Sequence, residues 1–328
     1  MILLCYGTRP EWIKIKPLIS AFEGTIDFKV LFTGQHEQMR GFYHDHFLKV
    51  EKGANRLDSI FSSIVNLDSC IFNGVEYVLV QGDTASACAM ALAAFNRNVK
   101  IIHLEAGLRT RNLQHPYPEE GYRQMISRLA SIHFCATQNN KTNLLLEKCE
   151  GEIFVVGNTV LDNLVGVETE YGDEVLVTMH RRENHPIMRE WFNSINNIAK
   201  NNRDLKFTIP LHPNPSVMKH KNLLSSLNVV APLEYNEMIN RMSKCRFFIS
   251  DSGGIQEEGS FLNKKVIVCR KWTERPESIG THSVLCKSPH DLARAFESVK
   301  NNYEINIKCP YGSGNASEMI VKVILGVI

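Results

Sequence analysis

Twelve short apolar runs, rich in Val, Ile, Leu and Phe, constrain this chain more than any other feature, because none alternates apolar with polar as a half-exposed strand does. Six occupy 2–6, 28–33, 77–81, 100–104, 132–136 and 153–156, and six more occupy 174–177, 207–211, 228–231, 246–250, 266–269 and 283–286. Each is followed by turn residues and then by a helical pattern. Continuous apolar strands alternating with helices specify a parallel sheet covered on both faces. The polar, Gly-flanked stretch 166–173 separates the two series and reads as a linker. The expected fold class is therefore α/β, with two doubly wound Rossmann-like domains over 1–166 and 173–311. A carboxyl-terminal helix over 312–328 is positioned to pack back toward the first domain. Doubly wound sheets bind ligands beyond the carboxyl ends of their strands, so the two domains are expected to face a cleft lined by strand-end loops.

Composition narrows the function classes. Of 328 residues, 44% are hydrophobic and 22% charged, which suits a soluble globular protein. Lys plus Arg (37) nearly balances Asp plus Glu (35), so no global field points to nucleic acid or to an acidic membrane surface. Met1 to Tyr6 is too short for a signal core and lacks a basic flank, and no apolar run is long enough to span a bilayer. A cytoplasmic location is expected. The nine cysteines contain no C-x-x-C pair and read as reduced, structural thiols. The common zinc, P-loop and dinucleotide motifs are absent, so neither a metal nor a cofactor is expected.

The unusual residues cluster where strands end. Phe247-Phe248-Ile249 runs into Ser250-Asp251-Ser252-Gly253-Gly254 and then a helical pattern. A strand that enters a helix through Ser-Gly-Gly leaves backbone N–H groups free to meet an anion, reinforced by roughly half a positive charge from the helix dipole. Glu257 and Glu258 follow as acceptors suited to sugar hydroxyls, so a diphosphate-linked sugar fits both halves. An ordinary turn with two sterically required glycines fits equally. Arg9 and Lys14, after the first strand, are close enough to share a phosphate. His180, beside Arg181 and Arg182, can donate to an oxygen that gains charge as it leaves. Three carboxylates stand out at strand ends: Asp83, which also suits an N-cap; Glu105, which closes an apolar strand; and Glu119, which with Glu120 also suits the first turn of a helix. The charged loop 270–277 reads as a flap over ligand or as a solvated segment.

As a set, these stretches resemble the non-hydrolysing UDP-N-acetylglucosamine 2-epimerases. The matching segments include Gly7-Thr8-Arg9-Pro10-Glu11 with Lys14, Thr33 to His36, Gln81 to Thr84, His103 to Thr110 and Pro116 to Glu120 with Arg123. They continue with Gly157 to Asp162, His180 to Asn184, Asp251 to Glu258, Thr273 to Glu277 and Pro310-Tyr311-Gly312. The resemblance runs the full length and implies the two-domain GT-B fold and a homodimer. It implies reversible C2 epimerisation of UDP-N-acetylglucosamine by elimination of UDP to a 2-acetamidoglucal and re-addition. Asp83, Glu105 and Glu119 would be acid/base candidates. Arg9, Lys14 and His180 would serve the diphosphate, Ser252, Gly253 and Gly254 would grip it through amides, and Glu258 would bind ribose. A second, activating sugar-nucleotide site would use Gln35, Gln38, Arg56, Glu119, Arg181 and His212. The chain is shorter than typical members around 48–56 and 166–173, and Met238 stands where the family often has an aromatic residue near uracil.

Four alternatives share these features: a 2-epimerase of another UDP-2-acetamido sugar, a hydrolysing epimerase, a GT-B glycosyltransferase, and a non-catalytic sugar-nucleotide sensor. A transferase has no need of three carboxylates around C2.

Overall fold

The computed structural model describes residues 1–51 and 53–327. Lys52, within the shortened stretch 48–56, and Ile328, at the end of the expected last helix, lie outside the described residues. The chain divides into two compact units, one of Met1–Asn163 with the stretch that starts at Gly312, the other of Leu164–Tyr311.

In the first unit, strands β1 (Ile2–Tyr6), β2 (Phe28–Phe32), β3 (His46–Phe47), β4 (Tyr77–Gln81), β5 (Lys100–Leu104), β6 (Ile132–Cys135) and β7 (Glu152–Val155) form one parallel sheet in the order β3-β2-β1-β4-β5-β6-β7. The interleaved helices are α1 (Arg9–Phe22), α2 (Arg56–Val65), α3 (Ala85–Phe95), α4 (Glu119–Leu129) and α5 (Gln138–Leu146). The lack of alternation is explained by β1: Leu3 and Cys5 enter one core while Ile2, Leu4 and Tyr6 enter the core on the opposite face. Each fully buried large aliphatic contributes about 1.5–3 kcal/mol, so a polar residue at either parity would be expensive. Helix α3, with the sequence ASACAMALAAF, is buried nearly all round and starts at Thr84, whose side chain accepts from the Ala87 N–H. His46–Phe47 escapes sequence reading because two residues carry no periodicity.

The second unit repeats the plan. Strands β8 (Glu174–Thr178), β9 (Lys206–Pro210), β10 (Asn228–Val230), β11 (Phe247–Ser250), β12 (Val266–Cys269) and β13 (Ser283–Cys286) are ordered β10-β9-β8-β11-β12-β13, all parallel. Helices α6 (Met188–Asn201), α7 (Pro215–Met218), α8 (Tyr235–Lys244), α9 (Gly253–Phe261) and α10 (Leu292–Lys300) accompany them. Helix α6 buries Trp191, Phe192, Ile195 and Ile198, one face at helical spacing. The segment 166–173 is tied down within this unit: Glu170 N–H and Gly172 N–H donate to the carbonyls of Ser243 and Lys244. The final helix, α11 (Ala316–Val327), packs on α1, with Ile320 and Ile324 in the same core as Ile15 and Phe22.

In both sheets strand order reverses beside the first strand of the unit, between β1 and β4 and between β8 and β11. The loops leaving those four strands are among those that the sequence singles out. No helix among the described residues is long and apolar enough to cross a membrane.

Candidate active site

Glu105 is the centre of the first unit's polar cluster. It follows β5 with a left-handed backbone, φ +66°, which is unusual for a residue with a side chain and costs about 1–2 kcal/mol. The carboxylate is 8% exposed, yet well supplied with donors. Lys14 Nζ lies 2.6 Å from Oε2, Gln81 donates to the same oxygen, and Asn158 Nδ2 lies 3.3 Å from Oε1. Lys14, expected to share a phosphate with Arg9, is thus held on a carboxylate; Arg9 is the first residue of α1 and partly exposed.

Asp83 is not a helix cap. Thr84 takes that position, and Asp83 Oδ2 accepts from Arg123 of α4. Arg123 also reaches Glu120 Oε2 at 3.3 Å. The two adjacent carboxylates of α4 then separate in role. Glu120 is fully buried and accepts from the N–H groups of Thr110 (3.0 Å) and Arg111 (3.1 Å) and from Gln124 (2.9 Å), which pins the loop leading to the helix. Glu119, one residue earlier, is the less buried of the two. A further carboxylate, Glu11, is 1% exposed and ties the Gly7 and Thr8 N–H groups (2.9 and 2.6 Å) to the Thr84 hydroxyl (2.6 Å). Burial raises its carboxyl above the ordinary range, against those hydrogen bonds, which lower it. Glu11 was legible in principle, as the third helical residue after a Thr cap.

Of the residues the resemblance assigns to an activating site, Gln35 accepts from the Ser86 N–H at 3.0 Å, and its carbonyl accepts from Arg56 at 2.9 Å. Gln38 is exposed in the short turn Glu37–Met39.

In the second unit the central group is Asp251, at the end of β11, with no exposure at all. Its carboxylate accepts from the His180 N–H (3.0 and 3.1 Å), the Arg181 N–H (2.9 Å) and Asn184 Nδ2 (3.0 Å). Asn184 is itself set by the Cys269 carbonyl (2.9 Å) and by Trp191 Nε1 (3.2 Å). His180 is thereby fixed just past β8. Its ring stacks on His212, centroids 5.4 Å apart, and burial lowers its pKa, with Asp251 opposing and Arg181, His212 and His185 reinforcing the shift. His212 Nδ1 accepts from the Asn214 N–H at 3.2 Å, and its pKa is also lowered, again chiefly by burial.

Ser252 is the N-cap of α9 and Gly253 and Gly254 open its first turn, where N–H groups have no intrahelical acceptor. A Cβ on Gly253 would lie 2.4 Å from Arg275 Nη1 and 2.9 Å from its Cζ. Glycine at this position lets a guanidinium pack beneath the turn. Glu258 is 7% exposed and accepts from the Tyr235 hydroxyl at 3.0 Å; Tyr235 lies one turn before Met238 on α8. The charged loop 270–277 is not a solvated segment at its core. Arg270, Glu274 and Arg275 are buried, with Arg270 on Glu183 (2.7 Å) and Glu274 (2.8 Å), and Arg275 on Glu257 (2.8 Å) and Glu274. Sequence showed the charges but not their partners, which come from α9 and from the loop after β8.

Two doubly wound units, each with charged and polar side chains gathered beside its topological switch point, define a two-domain α/β protein of the GT-B type. The family model for UDP-N-acetylglucosamine 2-epimerase matches residues 21–325. The chain belongs to that family. A relative from Campylobacter jejuni named UDP-N-acetylglucosamine 2-epimerase is 37% identical over 99% of this chain and 97% of its own length. One of the same name from Neisseria meningitidis is 37% identical over 99% of both chains. The crystal structure of UDP-GlcNAc 2-epimerase from Neisseria meningitidis bound to UDP-GlcNAc is similar with a TM-score of 0.91, at 35% identity over 99% of both chains.

Proposed function

We propose that this protein is a non-hydrolysing UDP-N-acetylglucosamine 2-epimerase that interconverts UDP-N-acetylglucosamine and UDP-N-acetylmannosamine, supplying a precursor for surface polysaccharide. The observation that carries the reading is the Glu105 carboxylate, held on Lys14, Gln81 and Asn158 at a strained strand end beside the Asp83–Arg123 pair. A sensor that only binds sugar nucleotide has no use for strain and buried charge there.

The reaction begins with removal of the C2 proton by a carboxylate while the C1–O bond to the diphosphate breaks, leaving 2-acetamidoglucal and UDP. Asp83, Glu105 and Glu119 are the acid/base candidates, and a proton delivered to the opposite face of C2 as UDP adds back gives the epimer. His180 serves the departing diphosphate together with Arg9 and Lys14, and the amides of the Ser252-Gly253-Gly254 turn face it. Negative charge growing on the leaving oxygen favours these donors in the transition state over the ground state. Glu258, oriented by Tyr235, accepts from ribose hydroxyls. The enzyme works as a homodimer, and Gln35, Gln38, Arg56, Glu119, Arg181 and His212 hold an activating UDP-N-acetylglucosamine.

Incubation with UDP-N-acetylglucosamine in D2O, followed by NMR at C2, tests the reading. The expected outcome is UDP-N-acetylmannosamine with deuterium at C2 and the nucleotide intact, and a loss of roughly a hundredfold or more in Glu105→Gln. Free N-acetylmannosamine, or exchange absent from folded wild-type protein, overturns it.

A further inference from the structure

The three donors that converge on Asp251 come from the loop carrying His180, and the loop is gripped from its other side as well. His185 Nε2 lies 3.2 Å from the His180 carbonyl oxygen; a carbonyl only accepts, so Nε2 carries the proton. The peptide units flanking the His180 Cα are therefore held at three points: its own N–H and the Arg181 N–H by Asp251, and its carbonyl by His185. The ring is left to be placed by its stack on His212. We propose that Asp251 and His185 are the positioning residues of His180, a clamp on its main chain that aims the imidazole. The inference rests on the reading of His180 as the group that serves the departing diphosphate.

Several features separate such a clamp from ordinary loop packing. Asp251 has no exposure, and its carboxylate approaches the ring as well as the backbone, Oδ1 lying 3.7 Å from His180 Nδ1. That distance is too long for a hydrogen bond and short enough for a strong field. Burial opposes the imidazolium most strongly; of the charged and titratable groups around the His180 ring, Asp251 favours it, and Arg181, His212 and His185 oppose it. Removing Asp251's charge and removing His185 are therefore expected to move the His180 titration in opposite directions. A residue that merely stabilised the loop would move neither or move both alike. Asn184, anchored to Trp191 and the Cys269 carbonyl, holds the carboxylate with its side-chain amide.

The test compares Asp251→Asn, His185→Leu and His185→Gln with wild-type protein, using the histidine ring signals of the free protein by NMR and the pH profile of kcat. For Asp251→Asn the expected result is a drop in kcat of tenfold or more, a KM within about threefold of wild type, and both the His180 titration and the alkaline limb at lower pH. For His185→Leu the limb and the titration move to higher pH, with kcat reduced several-fold, and His185→Gln, which keeps an N–H donor, recovers most of the rate. Should Asp251→Asn fail to fold, the paired His185 variants decide, because that side chain is only partly buried. An unchanged His180 titration and limb in the folded variants overturns the proposal. Titrations that shift in opposite directions in a protein without epimerase activity leave the clamp standing and overturn the functional reading instead.

Discussion

At the residue scale, burial decides which polar groups are available for chemistry and which only hold the fold. His103 and His133 face each other across β5 and β6, both without exposure, and each Nε2 meets a carbonyl, of Gly82 and Glu150 respectively. Burial lowers the His103 pKa to about 3. An unfolded histidine titrates near 6.5, so between these values the unfolded chain binds the proton and the folded one does not. The stabilisation is complete above the unfolded value and is lost as pH falls toward the folded one, on the order of 5 kcal/mol. His103→Gln keeps an N–H for the Gly82 carbonyl but cannot titrate. Urea denaturation at pH 7 and pH 4.5 should show a smaller acid loss in that variant than in wild-type protein; equal losses would remove His103 from the account. The same scale separates Glu119 from Glu120: adjacent in sequence, one is fully buried under four donors and the other is not. Adjacent carboxylates at a helix start look alike until the loop that crosses them is placed.

At the element scale, the turn from β11 into α9 is a sterically demanding junction. Gly253 is needed because the guanidinium of Arg275 packs where a Cβ would be, whereas the nearest atom to a Cβ on Gly254 is 3.7 Å away. Gly253→Ala should lose about 1–3 kcal/mol of stability, as an overpacked site does, and should bind UDP more weakly. Gly254→Ala should retain its thermal midpoint. Differential scanning calorimetry and UDP titration of both variants check this, and equal midpoints would refute the steric account. Strand positions were almost fully legible, since runs such as Tyr77–Gln81 and Val266–Cys269 are buried on both faces and must be apolar throughout. The exception, His46–Phe47, shows where the signal ends. The charged run Arg270 to Glu277, which reads as a flap or a solvated segment, buries Arg270, Glu274 and Arg275 in an ion-pair network, because opposite charges can be buried together and periodicity does not report partners.

At the scale of the whole molecule, the large apolar side chains left exposed on α3, α4 and α5 of the first unit, Phe95, Met125, Leu145 and Leu146, are candidates for a contact between copies. For the proposed homodimer, light scattering should return twice the mass of one chain, and Leu145→Glu with Leu146→Glu should lower it if that face is used; a monomer in wild-type protein would rule the dimer out. By itself the amino-acid sequence determined the class of each sheet, the number of major strands and the residue types waiting at their ends, because burial on both faces and turn chemistry are local demands written position by position. Tertiary structure alone decided which of those residues meet. Lys14 finds Glu105 across 91 positions and Asp251 takes hold of His180 across 71, distances over which only the strand order of a folded sheet brings a charge to its partner.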